Sequence, residues 1–188
     1  AGNYFDSALA IRTEIGDSAG VATCLNHIGV VYLQFEEYSL AREFFEESLR
    51  LRRQQNDSLQ ILDILLHLIE AFAAQESEAT ANSWLSEALA YESGDIPQSF
   101  QVRLLQAQAQ VSQKRGEWGQ ARLYLAEALA MLPERGSSRL RLSLLIRQAA
   151  LFNATGEYDR ALGGYLQAYD LAQATGNSLA LADILHNL

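Results

Sequence analysis

Similar apolar and small residues recur along this chain at intervals of forty positions. The segment YFDSALAIRTEIGD at 4–17 and the segment FFEESLRLRRQQND at 44–57 present the same kinds of residue in the same order. Later copies keep the phase at Trp84-Leu85 with Ala88-Leu89, at Leu125 with Ala128-Leu129, and at Tyr165 with Ala168. A fixed period of this length indicates a repeated structural unit that packs mainly on its neighbours.

Each repeated unit contains two stretches with helical periodicity. In the first stretch of one unit, Val21, Leu25, Ile28 and Tyr32 form an apolar stripe at helix spacing, and a second stripe runs through residues 40–49. Pairs of helix-start residues precede the first stretches at positions 17–18, 57–58 and 177–178. No segment has the alternation of a strand. The pattern predicts ten helices: one near 3–15, four complete pairs, and one near 178–188.

Small residues recur where two helices of a unit would cross. Alanine stands at positions 41, 81, 121 and 161 of the second helices, and Gly29, Ala109 and Ala149 hold one place in the first helices. A larger side chain would push the helix axes apart, so these positions predict close packing. Gly163-Gly164, inside a predicted helix, is interpreted as a close contact or kink rather than a functional hinge.

The spacing of these residues resembles a known repeat. Leu25-x2-Ile28-Gly29-x2-Tyr32, followed by Ala41-x3-Phe45, resembles the tetratricopeptide repeat, and Gly116-Glu117-Trp118 and Gly156-Glu157-Tyr158 match its inter-helix turn. The period is about six residues longer than the common form, as in the arrays of bacterial regulators. The resemblance implies an all-α fold, a tetratricopeptide-type solenoid of antiparallel helix pairs wound into a right-handed superhelix.

The register also predicts the organisation of the chain. Residues 1–188 would form a single array, with half a repeat at 1–17, repeats at about 18–56, 57–95, 96–136 and 137–176, and half a repeat at 177–188. Because both half repeats lack a partner helix, we expect a piece of a longer array. Apolar residues such as Phe5 and Leu185 would be uncovered at the two ends, so end-to-end self-association is a further expectation.

Charge and composition narrow the classes of partner. The net charge is −9, with thirteen arginines and a single lysine, Lys114, and this balance argues against direct nucleic-acid binding. The cluster Arg50, Arg52 and Arg53 follows three glutamates on the same predicted helix. We interpret it as a solvated, charge-paired face rather than a phosphate site.

Cysteine usage and hydropathy predict a cytoplasmic protein without a membrane span. Cys24 is the only cysteine, which fits a reducing compartment. No signal peptide is visible. The most apolar window, residues 59–74, is interrupted by Asp63, His67 and Glu70 and therefore does not read as a membrane span.

Motifs of catalysis do not occur in the sequence. It has no glycine-rich phosphate loop, no H-E-x-x-H, no cysteine pair and no nucleophile elbow, so we predict a protein that is not an enzyme and needs no cofactor. His27 and His67 occupy the same place in successive units, and Glu70 follows one turn after His67. They are interpreted as groove residues rather than metal ligands.

The tetratricopeptide resemblance implies a binding groove lined by the first helix of each pair. The positions off the packing stripe are the candidate contacts: Asn26, His27, Val30, Leu66, His67, Glu70, Gln106, Gln110, Ile146, Arg147 and Asn153. Their amides suit hydrogen bonds to a peptide backbone, and Val30, Leu66 and Ile146 offer apolar contacts. The cations with which some family members clamp a terminal carboxylate are missing at the matching positions.

Two functions remain open from the sequence. The leading hypothesis is a non-catalytic scaffold that binds a protein or peptide in its concave groove. The alternative is a ligand-sensing regulatory segment of a larger bacterial signalling protein, such as a transcription regulator or a nucleotide cyclase.

Overall fold

The chain is mainly helical in the part that the structure describes. The computed structural model describes residues 2–74, 78–91, 95–133 and 138–187, and within these ranges it contains helices and turns but no strand. The helices are α1 (Gly2–Glu14), α2 (Ser18–Gln34), α3 (Tyr38–Gln55), α4 (Ser58–Ala74), α5 (Glu78–Leu89), α6 (Gln98–Lys114), α7 (Trp118–Met131), α8 (Ser138–Ala154), α9 (Tyr158–Thr175) and α10 (Ser178–Asn187). The predicted all-α solenoid of ten helices is confirmed, while the repeat boundaries and the superhelix handedness stay predictions.

The helix starts follow the period because the same capping chemistry recurs. α2, α4, α8 and α10 begin at serines spaced by forty or eighty residues. The side chain of Asp17 accepts a hydrogen bond from the Gly20 N–H at 2.8 Å, and Asp57 accepts one from the Gln60 N–H at 3.3 Å. Asn177 does the same for Ala180 at 3.1 Å. Each cap satisfies a backbone donor that the first turn of a helix leaves without a partner.

Left-handed residues end the helices at matching positions. Within the helix pairs, Glu36, Gly116 and Gly156 have φ angles of 61°, 73° and 80°. Between pairs, Asn56 and Gly176 have φ angles of 54° and 67°. Glycine adopts this conformation without steric cost, whereas a side chain such as that of Glu36 is strained there.

The predicted close crossings are present. The alanines at 41, 81, 121 and 161 are each at most 5% exposed. A Cβ atom added to Gly29 would lie 2.6 Å from the Phe45 ring, and one added to Gly164 would lie 3.0 Å from Cβ of Ala149. Gly163 has open space instead. The small-residue positions therefore hold the helices of a pair together, and Gly164 rather than Gly163 makes the close contact.

The chain divides into two compact units, which we call unit 1 (Ala1–Phe100) and unit 2 (Gln101–Leu188). The core of unit 1 centres on Phe45 of α3 and on the apolar helix α4, where Leu62, Leu65 and Leu68 are fully buried. The Ser48 hydroxyl donates to the Ala22 carbonyl at 2.8 Å, which satisfies a polar group inside this core.

Unit 2 contains two apolar clusters. One surrounds Leu125 and Leu144, and the other surrounds Tyr165 and Ile184. Burial raises the pKa of the Tyr165 phenol above its usual range, because desolvation disfavours the phenolate. Tyr165 occupies the place that Phe45 holds in unit 1, so equivalent positions accept different aromatic rings.

The described helices offer no membrane-crossing segment, since none combines the necessary length and hydropathy. Cys24 is buried and has a free thiol.

Candidate functional site

In unit 1, the predicted groove positions of α2 and α4 lie against each other. Asn26 is only 7% exposed; its Nδ2 atom donates to Oδ2 of Asp63 at 3.2 Å, and its Oδ1 atom lies 3.4 Å from Nδ1 of His67. The amide therefore joins two side chains of the neighbouring helix. It is a poor direct contact for a ligand, because its hydrogen-bonding groups face α4.

The other unit 1 positions differ in how far solvent reaches them. Leu66 is buried at 4% exposure, whereas His27 is exposed and Val30, His67 and Glu70 are half-buried. The His27 ring stands edge-on to Phe5 of α1, with 5.9 Å between ring centroids. The face open to a ligand consequently consists of the two histidines, Val30 and Glu70.

In unit 2, α6 and α8 repeat this arrangement with other residues. Nε2 of Gln106 donates to Oγ of Ser143 at 3.4 Å. Gln110 is 8% exposed, and with its amide oxygen turned toward α8 it accepts a hydrogen bond from Nη2 of Arg147 at 3.0 Å. Ile146 and Arg147 are half-buried, and Asn153 is exposed near the end of α8. Gln106, Ile146, Arg147 and Asn153 thus remain open to a ligand.

A constant offset relates the polar pairs in both units. Asn26 with Asp63, Gln106 with Ser143, and Gln110 with Arg147 are each 37 residues apart in sequence. These three pairs are about one helical turn short of the forty-residue period, whereas the Asn26–His67 contact spans 41 residues. Asp63 and Ser143 were missed from sequence, although a search three residues short of the repeat period would have found them.

The charged residues of these faces differ in sign between the units. In unit 1, α2 carries no Asp, Glu, Lys or Arg, and α4 carries only Asp63 and Glu70. In unit 2, α6 and α8 contain basic residues, Arg147 among them, and no acidic ones. A ligand of the unit 1 face would meet negative potential, and a ligand of the unit 2 face would meet positive potential.

Two of the three arginines in the α3 cluster, Arg50 and Arg53, form the solvated, charge-paired face that the sequence predicts. Arg50 pairs with Glu47, with a shortest contact of 2.5 Å, and Arg53 pairs with Glu87 at 2.6 Å; both arginines are exposed. The hydrogen bond from Arg50 lowers the pKa of the Glu47 carboxyl. The interpretation of Arg52 as solvated was wrong, because its guanidinium is buried and donates to Oγ1 of Thr23 at 2.6 Å.

Metal-ligating side chains do not converge in the part of the chain that the structure describes. No group of three His, Cys, Asp or Glu residues there could hold an ion.

Comparison with known proteins supports the fold and the repeat. Residues 1–54 match the tetratricopeptide repeat family model, so the sequence resemblance is confirmed. The crystal structure of BtubC from P. vanneervenii superposes with a TM-score of 0.70 at 18% identity, covering 94% of this chain and 73% of that one. A signal-transduction ATPase with numerous domains and a tetratricopeptide repeat sensor, from Pyrococcus horikoshii, superposes with a TM-score of 0.66 at 15% identity.

These similarities have different extents. The Pyrococcus horikoshii superposition covers 96% of this chain but 28% of the other protein, so this chain spans under a third of that protein's length. At identities below a fifth, both superpositions establish a shared fold. The search of curated protein sequences gives no match.

Proposed function

We propose that this chain, a tetratricopeptide-type array, is a non-catalytic scaffold that binds another polypeptide along the exposed face of its first helices. Repeats of this family generally serve as protein-interaction or sensor modules. The cytoplasm is the compartment we propose, because the single thiol, Cys24, suits reducing surroundings.

One observation carries the proposal: in each unit, partly buried polar pairs between successive first helices hold side chains that remain partly exposed. Asn26 and Gln110 are buried and bonded to the next helix, so we assign them a positioning role. His67 and Arg147, which they bond, are partly open to solvent. A side chain held on a rigid helix loses little further entropy when a ligand binds, which favours affinity.

The charges of the two faces favour different segments of a partner. Asp63 and Glu70 would attract lysine or arginine side chains to the unit 1 face. Arg147 would attract a carboxylate or a backbone carbonyl to the unit 2 face, beside the apolar Ile146. We therefore propose partners that present basic residues to unit 1 or acidic residues to unit 2.

Selection from a displayed peptide library, followed by calorimetry, tests this function. Peptides selected with the whole chain should bind Glu70→Gln or Arg147→Gln about tenfold more weakly, because a hydrogen bond to a charged group contributes about 1.5 kcal/mol or more. Glu43→Gln and Arg53→Gln, which make the same charge changes on α3, serve as matched controls.

The outcomes separate the site from the function. Equal affinity for all four variants would show that the peptides bind elsewhere and would overturn the proposed face. Failure to select any peptide would overturn peptide binding itself.

A second candidate is a sensor segment that controls a larger bacterial signalling protein. It is favoured by the Pyrococcus horikoshii protein, in which a tetratricopeptide repeat is described as the sensor. A small metabolite that raises the melting temperature of this chain, and displaces no selected peptide, would support this candidate over the scaffold. If no compound in a metabolite library raises the melting temperature, the result would count against the sensor function.

A further inference from the structure

An aromatic pocket lies in unit 2, and its lining includes none of the predicted groove residues, although Asn153 neighbours it in sequence. It is formed where α7 begins and α8 ends, and its lining includes Trp118, Arg122, Leu151, Phe152 and Thr155. Trp118, one of two tryptophans in the chain, is 43% exposed even though its ring is large and apolar. A partly exposed indole beside a second aromatic ring is a common anchor point for a partner side chain.

Two arginines flank the Phe152 ring. The guanidinium carbons of Arg122 and Arg160 lie 6.0 and 5.7 Å from the ring centroid. The Glu157 carboxylate accepts a hydrogen bond from each guanidinium, at 2.8 Å from Arg122 and 2.7 Å from Arg160. One carboxylate between two guanidiniums leaves a positive charge at the pocket, so an aromatic group with a nearby carboxylate is the complementary ligand.

The turn between α2 and α3 presents such a group. Phe35 is 74% exposed, and two further exposed residues, Glu36 and Glu37, follow it. The equivalent turns in unit 2 read Arg115-Gly116-Glu117 and Thr155-Gly156-Glu157, with no aromatic residue and with glycine at the left-handed position. The fold therefore requires neither Phe35 nor the strained Glu36, and both are available for an intermolecular contact.

Although two copies with a net charge of −9 each repel at long range, the distribution of charge favours an orientation that brings unit 1 of one copy to unit 2 of the other. Unit 1 contains 16 acidic and 5 basic residues, a net charge of −11, whereas unit 2 contains 7 acidic and 9 basic residues, a net charge of +2. Unit 1 of one copy and unit 2 of another consequently attract each other, while two copies of unit 1 repel.

We propose that the chain self-associates by inserting the turn Phe35–Glu37 of one copy into the Trp118–Phe152 pocket of a second copy. Phe35 would pack on the two aromatic rings, and the carboxylates of the turn would pair with Arg122 and Arg160. Because the turn and the pocket are different surfaces, the contact can close reciprocally between two copies or run head to tail through more than two. It goes beyond the proposed groove function and uses none of the groove residues.

Sedimentation velocity over a concentration series tests this contact. The wild-type chain should associate reversibly, and Phe35→Ser should weaken the association tenfold or more because the apolar anchor is lost. Gln106→Ala, in the predicted groove, should leave it unchanged. Circular dichroism on each variant checks that the helices are retained.

A charge exchange gives a sharper test. Glu37→Arg alone should prevent association by placing a basic turn against a basic pocket, and Arg160→Glu alone should prevent it by the opposite mismatch. An equimolar mixture of the two variants restores both complementary pairings and should associate.

Each contrary outcome overturns the contact. It is wrong if the wild-type chain keeps single-chain mass up to millimolar concentration, or if the mixture stays dissociated. Association that survives Phe35→Ser would also overturn it and would assign the interface to another surface, such as the helix ends. Peptide binding to the groove is measured separately, so it can succeed or fail independently.

Discussion

Two glycines inside helices show that the same residue can serve different needs. Gly29 faces the fully buried ring of Phe45, and an added Cβ would lie 2.6 Å from it. Gly163 in α9 has no neighbour within 4 Å of such an atom. At Gly29 the packing of Phe45 leaves no room for a larger residue. At Gly163 an alanine would fit and would favour the helical conformation more than glycine does.

We expect opposite effects from alanine at these two positions. Gly29→Ala should lower the free energy of unfolding by about 1–3 kcal/mol through overpacking. Gly163→Ala should raise it by about 0.5–1 kcal/mol, since alanine restricts the unfolded chain and favours helix. Urea denaturation measures both, and a stable Gly29→Ala would contradict the close approach of the Phe45 ring.

Glu36 gives a second prediction at the scale of a residue. It has a φ of 61°, where the equivalent turns have Gly116 and Gly156. The left-handed conformation costs a non-glycine residue about 1–2 kcal/mol. Glycine avoids this cost, but fixing its more flexible backbone on folding costs about 0.5–1 kcal/mol. Glu36→Gly should therefore raise the free energy of unfolding by about 0.5–1 kcal/mol in thermal or urea melts. The matched control, Gly116→Ala, should lower it, and equal effects from both changes would refute the strain argument.

At the scale of elements, Arg52 links three successive helices of unit 1. From the last turns of α3, its guanidinium donates to Thr23 of α2 at 2.6 Å and to Asp57, the residue that caps α4, at 3.3 Å. It also donates to Gln55 at 3.1 Å. One side chain thus sets the spacing between a helix pair and the start of the next.

Replacing this link should destabilise unit 1. Arg52→Met keeps the apolar stem but removes three hydrogen bonds, and we expect a loss of about 1–3 kcal/mol in the free energy of unfolding. The control is Arg50→Met, which removes an exposed pair with Glu47 and should change stability little. Similar denaturation midpoints for the two variants would show that the buried arginine contributes no more than the solvated one.

For the whole molecule, the division into two units predicts uneven stability. In a solenoid each repeat is stabilised by its own core and by its nearest neighbours, so damage should stay local. Phe45→Ala, which should cost about 3–5 kcal/mol, lies in unit 1. Leu144→Ala is the corresponding change in unit 2, where Leu144 is fully buried.

Amide hydrogen exchange should display this locality. In Phe45→Ala, amides of α2–α4 should exchange about a hundredfold to several thousandfold faster, while those of α8–α10 keep most of their protection. Leu144→Ala should show the reverse distribution. Uniform acceleration along the chain in either variant would indicate one cooperative unit instead of two.

Most of the fold could be predicted from sequence because it depends on local chemistry repeated at a fixed interval. Asp17, Asp57 and Asn177 cap helices through donors three residues ahead, and alanines forty residues apart mark the crossings. Such signals need no knowledge of neighbouring repeats. The ten helices and the tetratricopeptide resemblance were accordingly predicted correctly.

The candidate site was predictable only as a set of positions on the first helices. Asn26, Leu66 and Gln110 fall at the predicted places, yet their burial came only from the structure. Asp63 and Ser143 were missed because their partners lie 37 rather than 40 residues away in sequence. The binding role of the groove residues therefore stays a prediction. The structure divides these residues into side chains that face solvent and buried side chains that position them.

The sequence by itself determined which segments are helices, where they begin and which faces are apolar, since these follow from interactions within a few residues. Tertiary structure alone decided which polar residues meet across helices, that Arg52 is buried, that Trp118, Arg122 and Phe152 line one pocket, and that Arg160 lies beside the Phe152 ring. The reason is geometric: the axial shift and rotation between packed helices depend on the fit of all their side chains together, which no single repeat encodes.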